Sequence, residues 1–248
     1  MCPEAKPGRS HAVPPVILVL WDVDHTLMNS GGVGSEVYAA AFEKVTGRPL
    51  KQMADVFGRT EPVIFRETLK LNGIEDPGDL FAKFAEEQAH GYAERAAEMR
   101  QRGRALPGAA QALRVLSGRD DVIQSVLTGN TRPSAEIKLR TFGLDRHVDL
   151  DIGAYGTDDD IRARLVDIAR QRATQRTGHH FDQATTMLIG DTPGDITAAR
   201  DGAARIIAVA TGRDSADDLT AAGADTVLAD LTSTANLLAA IYPGEPPQ

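Results

Sequence analysis

The chain has 248 residues, with 27 Lys and Arg against 35 Asp and Glu, a net charge of −8. That length argues for one large domain, or a body carrying an insertion, with a core that needs no staples, and the acidic balance argues against a nucleic-acid binder, which would show a basic patch. The one cysteine, Cys2, excludes an internal disulfide, a CxxC redox pair and a thiolate zinc cage, so a cytosolic setting is expected. In chain order, residues 1–15 come first; Pro3, Pro7, Gly8, Pro14 and Pro15 make them read as a disordered lead-in. Val16–Trp21 follows, apolar on both faces and rich in β-branched residues, as a central parallel strand covered by helices should be. A membrane span needs about 20 apolar residues. This run is only six residues long and ends in Asp22 and Asp24, so no membrane partner is expected.

From Asn29 to Leu106 the pattern is helical. One helix covers about Ser35–Val45 and closes at Gly47. Thr60 can cap a second, with Pro62 in its first turn, running to about Leu71. Breaks at Asn72-Gly73 and Asp76-Pro77-Gly78 precede one long helix over Leu80–Arg102, and no strand is expected in the whole segment. After Leu106-Pro107-Gly108 strands and helices alternate. Strands are expected at Val122–Leu127, Leu150–Ile152, Thr185–Ile189, Ile206–Val209 and Thr226–Leu228. Helices are expected at Ala109–Leu116, about Ser134–Phe142, about Asp160–Thr177 and about Ile196–Asp201, with two more towards the end. This is the pattern of a doubly wound parallel α/β sheet. The expected organisation is an α/β core of 16–28 and 107–248, interrupted by a helical unit of 29–106. That unit holds 11 basic and 12 acidic residues, so the excess negative charge belongs almost wholly to the core.

In such sheets the site forms beyond the carboxyl ends of the strands. The first strand ends in Asp22-Val23-Asp24-His25-Thr26, the second in Thr128-Gly129-Asn130, and the strand at 185–189 in Gly190-Asp191-Thr192-Pro193-Gly194-Asp195. Each motif is short enough to arise by chance, but all three follow apolar strands. Their chemistry is coherent. Mg²⁺ prefers carboxylate, water and phosphate oxygens. Asp22 can attack phosphorus and form an aspartyl-phosphate. Asp24, two residues on in an extended segment, faces the same way and can protonate the leaving oxygen and then activate water. Asp191 can complete a metal site, with Asp195 as ligand or support. Thr128, the amides of Gly129 and Asn130, and Lys138 can steady the transferring phosphoryl group. Arg132 and Arg140 are the alternatives to Lys138, and Asn130 can equally shape the turn.

On these residues the chain resembles phosphatases of the haloacid dehalogenase superfamily, in the phosphoglycolate-phosphatase-like branch with a helical cap; the likeness covers about residues 16–241. It implies a Rossmann-like core with the cap inserted after strand one, and a Mg²⁺-dependent phosphatase acting on a small phosphorylated metabolite. It implies Asp22 as nucleophile, Asp24 as acid/base and as a backbone ligand to Mg²⁺, Thr128 and Lys138 as phosphoryl-binding residues, and Asp191 and Asp195 at the metal. Asp24 is the residue that true dehalogenases lack. A phosphomutase of the same fold shares every motif. A non-catalytic phosphate-responsive regulator would normally have lost one. His25 departs from the resemblance, standing where the branch usually has Gly.

Among weaker candidates, Arg59 in Gly58-Arg59-Thr60 resembles a cap element that binds substrate, and Arg suits phosphate or carboxylate. Gly31-Gly32-Val33-Gly34 reads as a hinge, His179-His180 as solvated, and Asp158-Asp159-Asp160 as a helix N-terminus.

Overall fold

The computed structural model describes residues 15–76 and 78–244. The first fourteen residues, with Cys2 and most of the expected lead-in, lie outside them. Strand β1 (Ile17–Trp21) is buried along its whole length. Its side chains alternate between two apolar clusters: Ile17, Val19 and Trp21 enter one, Leu18 and Leu20 the other. A parallel strand between two helical layers needs this double-sided apolarity.

The chain then passes through β2 (Met28–Asn29) into four helices: α1 (Val33–Thr46), α2 (Glu61–Leu71), α3 (Leu80–Glu94) and α4 (Ala96–Arg102). It returns through β3 (Arg104–Ala105) to α5 (Ala109–Ser117) and β4 (Val122–Thr128). Next come α6 (Arg132–Thr141), β5 (Ala154–Tyr155), α7 (Arg162–Thr177), β6 (Thr186–Gly190) and α8 (Pro193–Asp201). The last elements are β7 (Arg205–Val209), α9 (Ala216–Ala221), β8 (Val227–Leu228) and α10 (Thr234–Ile241). Six strands form one parallel sheet in the order β5-β4-β1-β6-β7-β8. The doubly wound α/β fold is therefore present, with β1, β4 and β6 side by side at its centre. No helix among the described residues is long and apolar enough to cross a membrane.

Four local expectations are corrected. The segment 29–106 does contain strand: Met28 pairs with Ala105 and Asn29 with Arg104 in an antiparallel ribbon at the entry and exit of the helical unit. The single helix expected over 80–102 is two, broken at Arg95 (φ −99°, ψ 13°). The break directs α4 onto α6, where Arg100 Nε donates to the carbonyl of Thr141 at 3.0 Å. The strand expected at Leu150–Ile152 lies instead at Ala154–Tyr155. Asp149 Oδ1 accepts from the Asp151 amide at 3.0 Å, and this local turn takes the chain out of strand geometry until Gly153 is passed. Finally, α8 begins at Pro193 rather than near Ile196, because Thr192 and Asp195 cap each other's backbone amides.

The helical unit has its own apolar centre, built from Tyr38, Phe42, Ile64, Phe65, Leu69 and Phe84. Phe65 and Phe84 stack with ring centroids 4.4 Å apart. Val33, Val37, Tyr92 and Met99 join the cluster on one face of the sheet, so the unit is seated on the core as well as tethered to it.

Candidate active site

The central strands deliver three motifs to one point. Asp22 continues the sheet, its amide donating to the Ile189 carbonyl at 2.9 Å, so its carboxylate emerges between β4 and β6. Asp191 follows β6 directly, and Asp195 sits in the first turn of α8. The carboxylates of Asp22, Asp191 and Asp195 each offer an oxygen, and these atoms lie within 4.8 Å of one another. All three residues are buried.

Three acids this close require compensation. Arg162, the first residue of α7, provides part of it: its Nη2 donates to Asp22 Oδ1 at 2.9 Å and to Asp195 Oδ1 at 2.6 Å. Asp195 is also held by Thr192, whose Oγ1 donates to its Oδ2 at 2.6 Å. Thr26 Oγ1 donates to Asp191 Oδ1 at 2.8 Å, which gives the threonine of the first motif a role that no sequence argument assigned. Asp191 Oδ2 is buried without a partner. Burial, with Arg162 opposing, pushes the Asp22 carboxyl up to about 7. Burial and the Asp22 and Asp195 charges raise Asp191 to about 9. An orphaned buried oxygen, three carboxylates and two raised acids are what a hard divalent cation would relieve. The residues present therefore fit Mg²⁺.

Asp24 belongs to a second cluster. Its carboxylate accepts from Lys138 Nζ at 2.7 and 3.0 Å and from Asn130 Nδ2 at 2.8 Å. Burial works against ionisation of Asp24, but Lys138 and Asn130 outweigh it and hold the carboxyl below its ordinary value. Its side chain is therefore not among the clustered acids. Lys138 in turn reaches Asn130 Oδ1 at 2.7 Å. Thr128 Oγ1 accepts from Asn130 Nδ2 at 2.7 Å, so the turn after β4 is tied to Asp24 through Asn130. Gly129 has no room for a side chain: a Cβ there would lie 1.9 Å from the Arg59 carbonyl.

Lys138 borders the cavity, where the sequence expects a phosphoryl-binding cation. The cation set against Asp22 is Arg162, and Lys138 is paired with Asp24. The alternatives Arg132 and Arg140 both pair with Glu136 on the exposed side of α6. Sequence reasoning passed over Arg162 because Asp158-Asp159-Asp160 beside it looked like an ordinary acidic helix start. The available signal was a cation in the first helical turn, where the dipole disfavours one. Arg59 lines the cavity, but its guanidinium makes a two-pronged contact with Glu67. His25 has φ 61°, the left-handed conformation glycine adopts readily, and its carbonyl accepts from Thr211 Oγ1 at 2.6 Å. Gly31 and Gly32 are also left-handed, at φ 63° and 86°, and His179 and His180 are exposed.

Asp22, Asp24, Thr128, Lys138, Arg162 and Asp191 open onto one cavity of about 440 Å³, whose opposite wall comes from the helical unit. That unit is locked onto the core there: the Glu61 amide donates to the Gly129 carbonyl at 2.8 Å, and Thr60 Oγ1 to the Asp160 carbonyl at 3.2 Å.

Residues 19–200 match the model of the haloacid dehalogenase-like hydrolases, and the chain belongs to that family. No curated protein sequence is significantly similar to it. Among solved structures, a hydrolase from Pseudomonas syringae shares the fold with a TM-score of 0.67 at 20% identity, covering 90% of this chain and 97% of its own. A predicted phosphoglycolate phosphatase from Haemophilus somnus gives 0.65 at 19% identity, covering 89% and 97%. A predicted phosphatase from Clostridium acetobutylicum gives 0.60 at 16%, covering 86% and 94%.

Proposed function

We propose that this hydrolase is a Mg²⁺-dependent phosphatase acting on a small phosphorylated metabolite in the cytosol, with 16–28 and 107–248 as catalytic core and 29–106 as cap. The observation that carries this reading is the buried trio Asp22, Asp191 and Asp195 with its orphaned oxygen, facing a cavity walled by the helical unit beside Asp24. Asp22, Asp191 and Asp195 would hold the ion, with the Asp24 carbonyl as a further oxygen; bound there, Mg²⁺ neutralises negative charge on the phosphoryl oxygens. Asp22 attacks phosphorus, and the ester oxygen leaves with a proton from Asp24. Asp24 then takes a proton from water, which cleaves the aspartyl-phosphate and restores Asp22. Arg162 fixes the attacking carboxylate. Thr128, Gly129, Asn130 and Lys138 surround the phosphoryl group. The Asp24–Lys138 pair favours the base half of the cycle, and a phosphoryl group that draws Lys138 towards itself frees Asp24 to take up a proton. The cap keeps bulk water from the attack step.

The test is phosphate release from a panel of phosphomonoesters with and without Mg²⁺, using Asp22→Asn as control. Undiminished release by that variant would overturn the assignment. Interconversion of sugar-phosphate isomers without net phosphate release would point to a phosphomutase instead.

A further inference from the structure

The cavity wall opposite the aspartates carries a second acid, Glu61, which the phosphoryl chemistry does not use. Glu61 is the first residue of α2 and is 8% exposed. Gln88 Nε2 donates to its Oε1 at 3.0 Å, and Ser134 Oγ on the core donates to Gln88 Oε1 at 3.3 Å. The carboxyl is therefore aimed by a relay that crosses from core to cap. Its other oxygen makes no hydrogen bond among the described residues. Beside it, the Tyr38 hydroxyl is buried and unpartnered, and Tyr38 lines the same cavity.

The cations tell the other half. Among the described residues lining the cavity, the Lys and Arg side chains are Arg59, Lys138 and Arg162. Each already faces a carboxylate: Glu67 for Arg59, Asp24 for Lys138, Asp22 and Asp195 for Arg162. A divalent ion at the acidic trio would serve the phosphoryl group. Among the described lining residues no lysine or arginine is left over for a second anionic group on the substrate, and Glu61, whose ionised form burial already disfavours, offers such a group no attraction.

We infer, resting on the phosphatase reading, that the substrate is the phosphomonoester of a short alcohol whose tail carries hydroxyl donors and no carboxylate or second phosphate, and that Glu61, aimed by Gln88, selects it. Glu61 accepts a hydroxyl from the tail, the Tyr38 phenol can meet a second, and a tail carboxylate in that place meets no free lysine or arginine and crowds an acid whose ionised form burial already disfavours. A cavity of about 440 Å³ suits a small tail of this kind.

A matched pair tests this: 2-hydroxyethyl phosphate and 2-phosphoglycolate differ only in whether the tail ends in CH₂OH or in a carboxylate. With p-nitrophenyl phosphate as a generic third substrate, kcat/KM for each is measured in Mg²⁺ on the wild type and on Glu61→Gln. The expected result is at least a tenfold preference for the hydroxyl ester in the wild type. It should narrow to within about threefold in Glu61→Gln, chiefly through a lower KM for phosphoglycolate. Equal or better use of phosphoglycolate by the wild type overturns the inference while leaving the phosphatase reading intact. So does an unchanged ratio in a Glu61→Gln protein that melts like the wild type. The wild-type ratio stands as a test even if the variant does not fold. Release from none of the three esters overturns the phosphatase reading, and this inference with it.

Discussion

The α/β core and the helical unit face each other across one cavity and are built on different rules. The core presents its acids from strand ends backed by apolar clusters on both faces of the sheet, so Asp22 and Asp191 are held by backbone that cannot shift without disturbing the whole domain. The helical unit presents Glu61 and Tyr38 from helices packed on their own aromatic cluster. Many of its contacts near the cavity are single polar links, such as Thr60 to the Asp160 carbonyl and Arg66 to Asp160 at 2.5 Å. The difference teaches where rigidity is needed. Bond making tolerates little displacement, whereas a selective wall has to admit and release a ligand.

Perturbing each side should separate the two. The largest effect is expected from Asp22→Asn, a fall in kcat of roughly 10³-fold or more with the fold retained, read by phosphate release and circular dichroism. Arg162→Ala leaves Asp22 and Asp195 without their buried counter-charge. About 3–5 kcal/mol of stability should be lost, measurable by urea denaturation, together with most of the activity. In the helical unit, Phe65→Ala removes the ring stacked on Phe84. A loss of about 3–5 kcal/mol is expected, and a separate early transition on melting would show the unit unfolding ahead of the core.

The acidic trio gives a pH test confined to the core. Asp22 and Asp191 have folded values near 7 and 9, above the ordinary carboxylate value of 3.8. Groups raised in this way favour the folded state fully below pH 3.8 and lose that contribution as pH rises through their folded values. The metal-free protein should therefore lose thermal stability between about pH 4 and 9, and millimolar Mg²⁺ should restore it most at the upper end. A melting temperature indifferent to Mg²⁺ at pH 8 would count against the site. The smallest effect belongs to the seam. Arg213 pairs with Asp55 at 3.5 Å, both exposed, and lies 3.9 Å over the half-buried Phe57 ring. Arg213→Ala should cost about 0.5–1 kcal/mol at most and alter KM more than kcat.

Most of the core was legible because its code is local. An apolar run that gives way to polar residues marks a strand end, and that rule drew attention to Asp22, Asp24, Thr128 and Asp191. Asp195 could be read from its spacing to Asp191. Arg162 was not legible, because what defines it is a contact with Asp22 across 140 positions of chain. The ribbon strands are two residues each, too short to carry a periodic pattern. The break at Arg95 has no glycine or proline to announce it, since side-chain partners on Glu36 and Glu98 hold the bend. Glu61 looked like an ordinary acid in a first helical turn, and only the fold shows that it borders the cavity.

The ribbon at the neck of the helical unit also bears on how the chain finds its fold. Trp21 on β1 bonds to Gln124 on the neighbouring strand β4, 103 positions away, and closing so long a loop is entropically slow. Pairing of Met28 with Ala105 and Asn29 with Arg104 pinches that loop off at its base. Once the four helices have condensed and the ribbon has zipped, β1 and β4 are linked through the six residues 22–27 on one side and the sixteen residues 106–121, most of them in α5, on the other. The insertion then acts as a large knot tied in a short string: it lengthens the polypeptide while leaving the search for the central strand pair nearly as short as if it were absent.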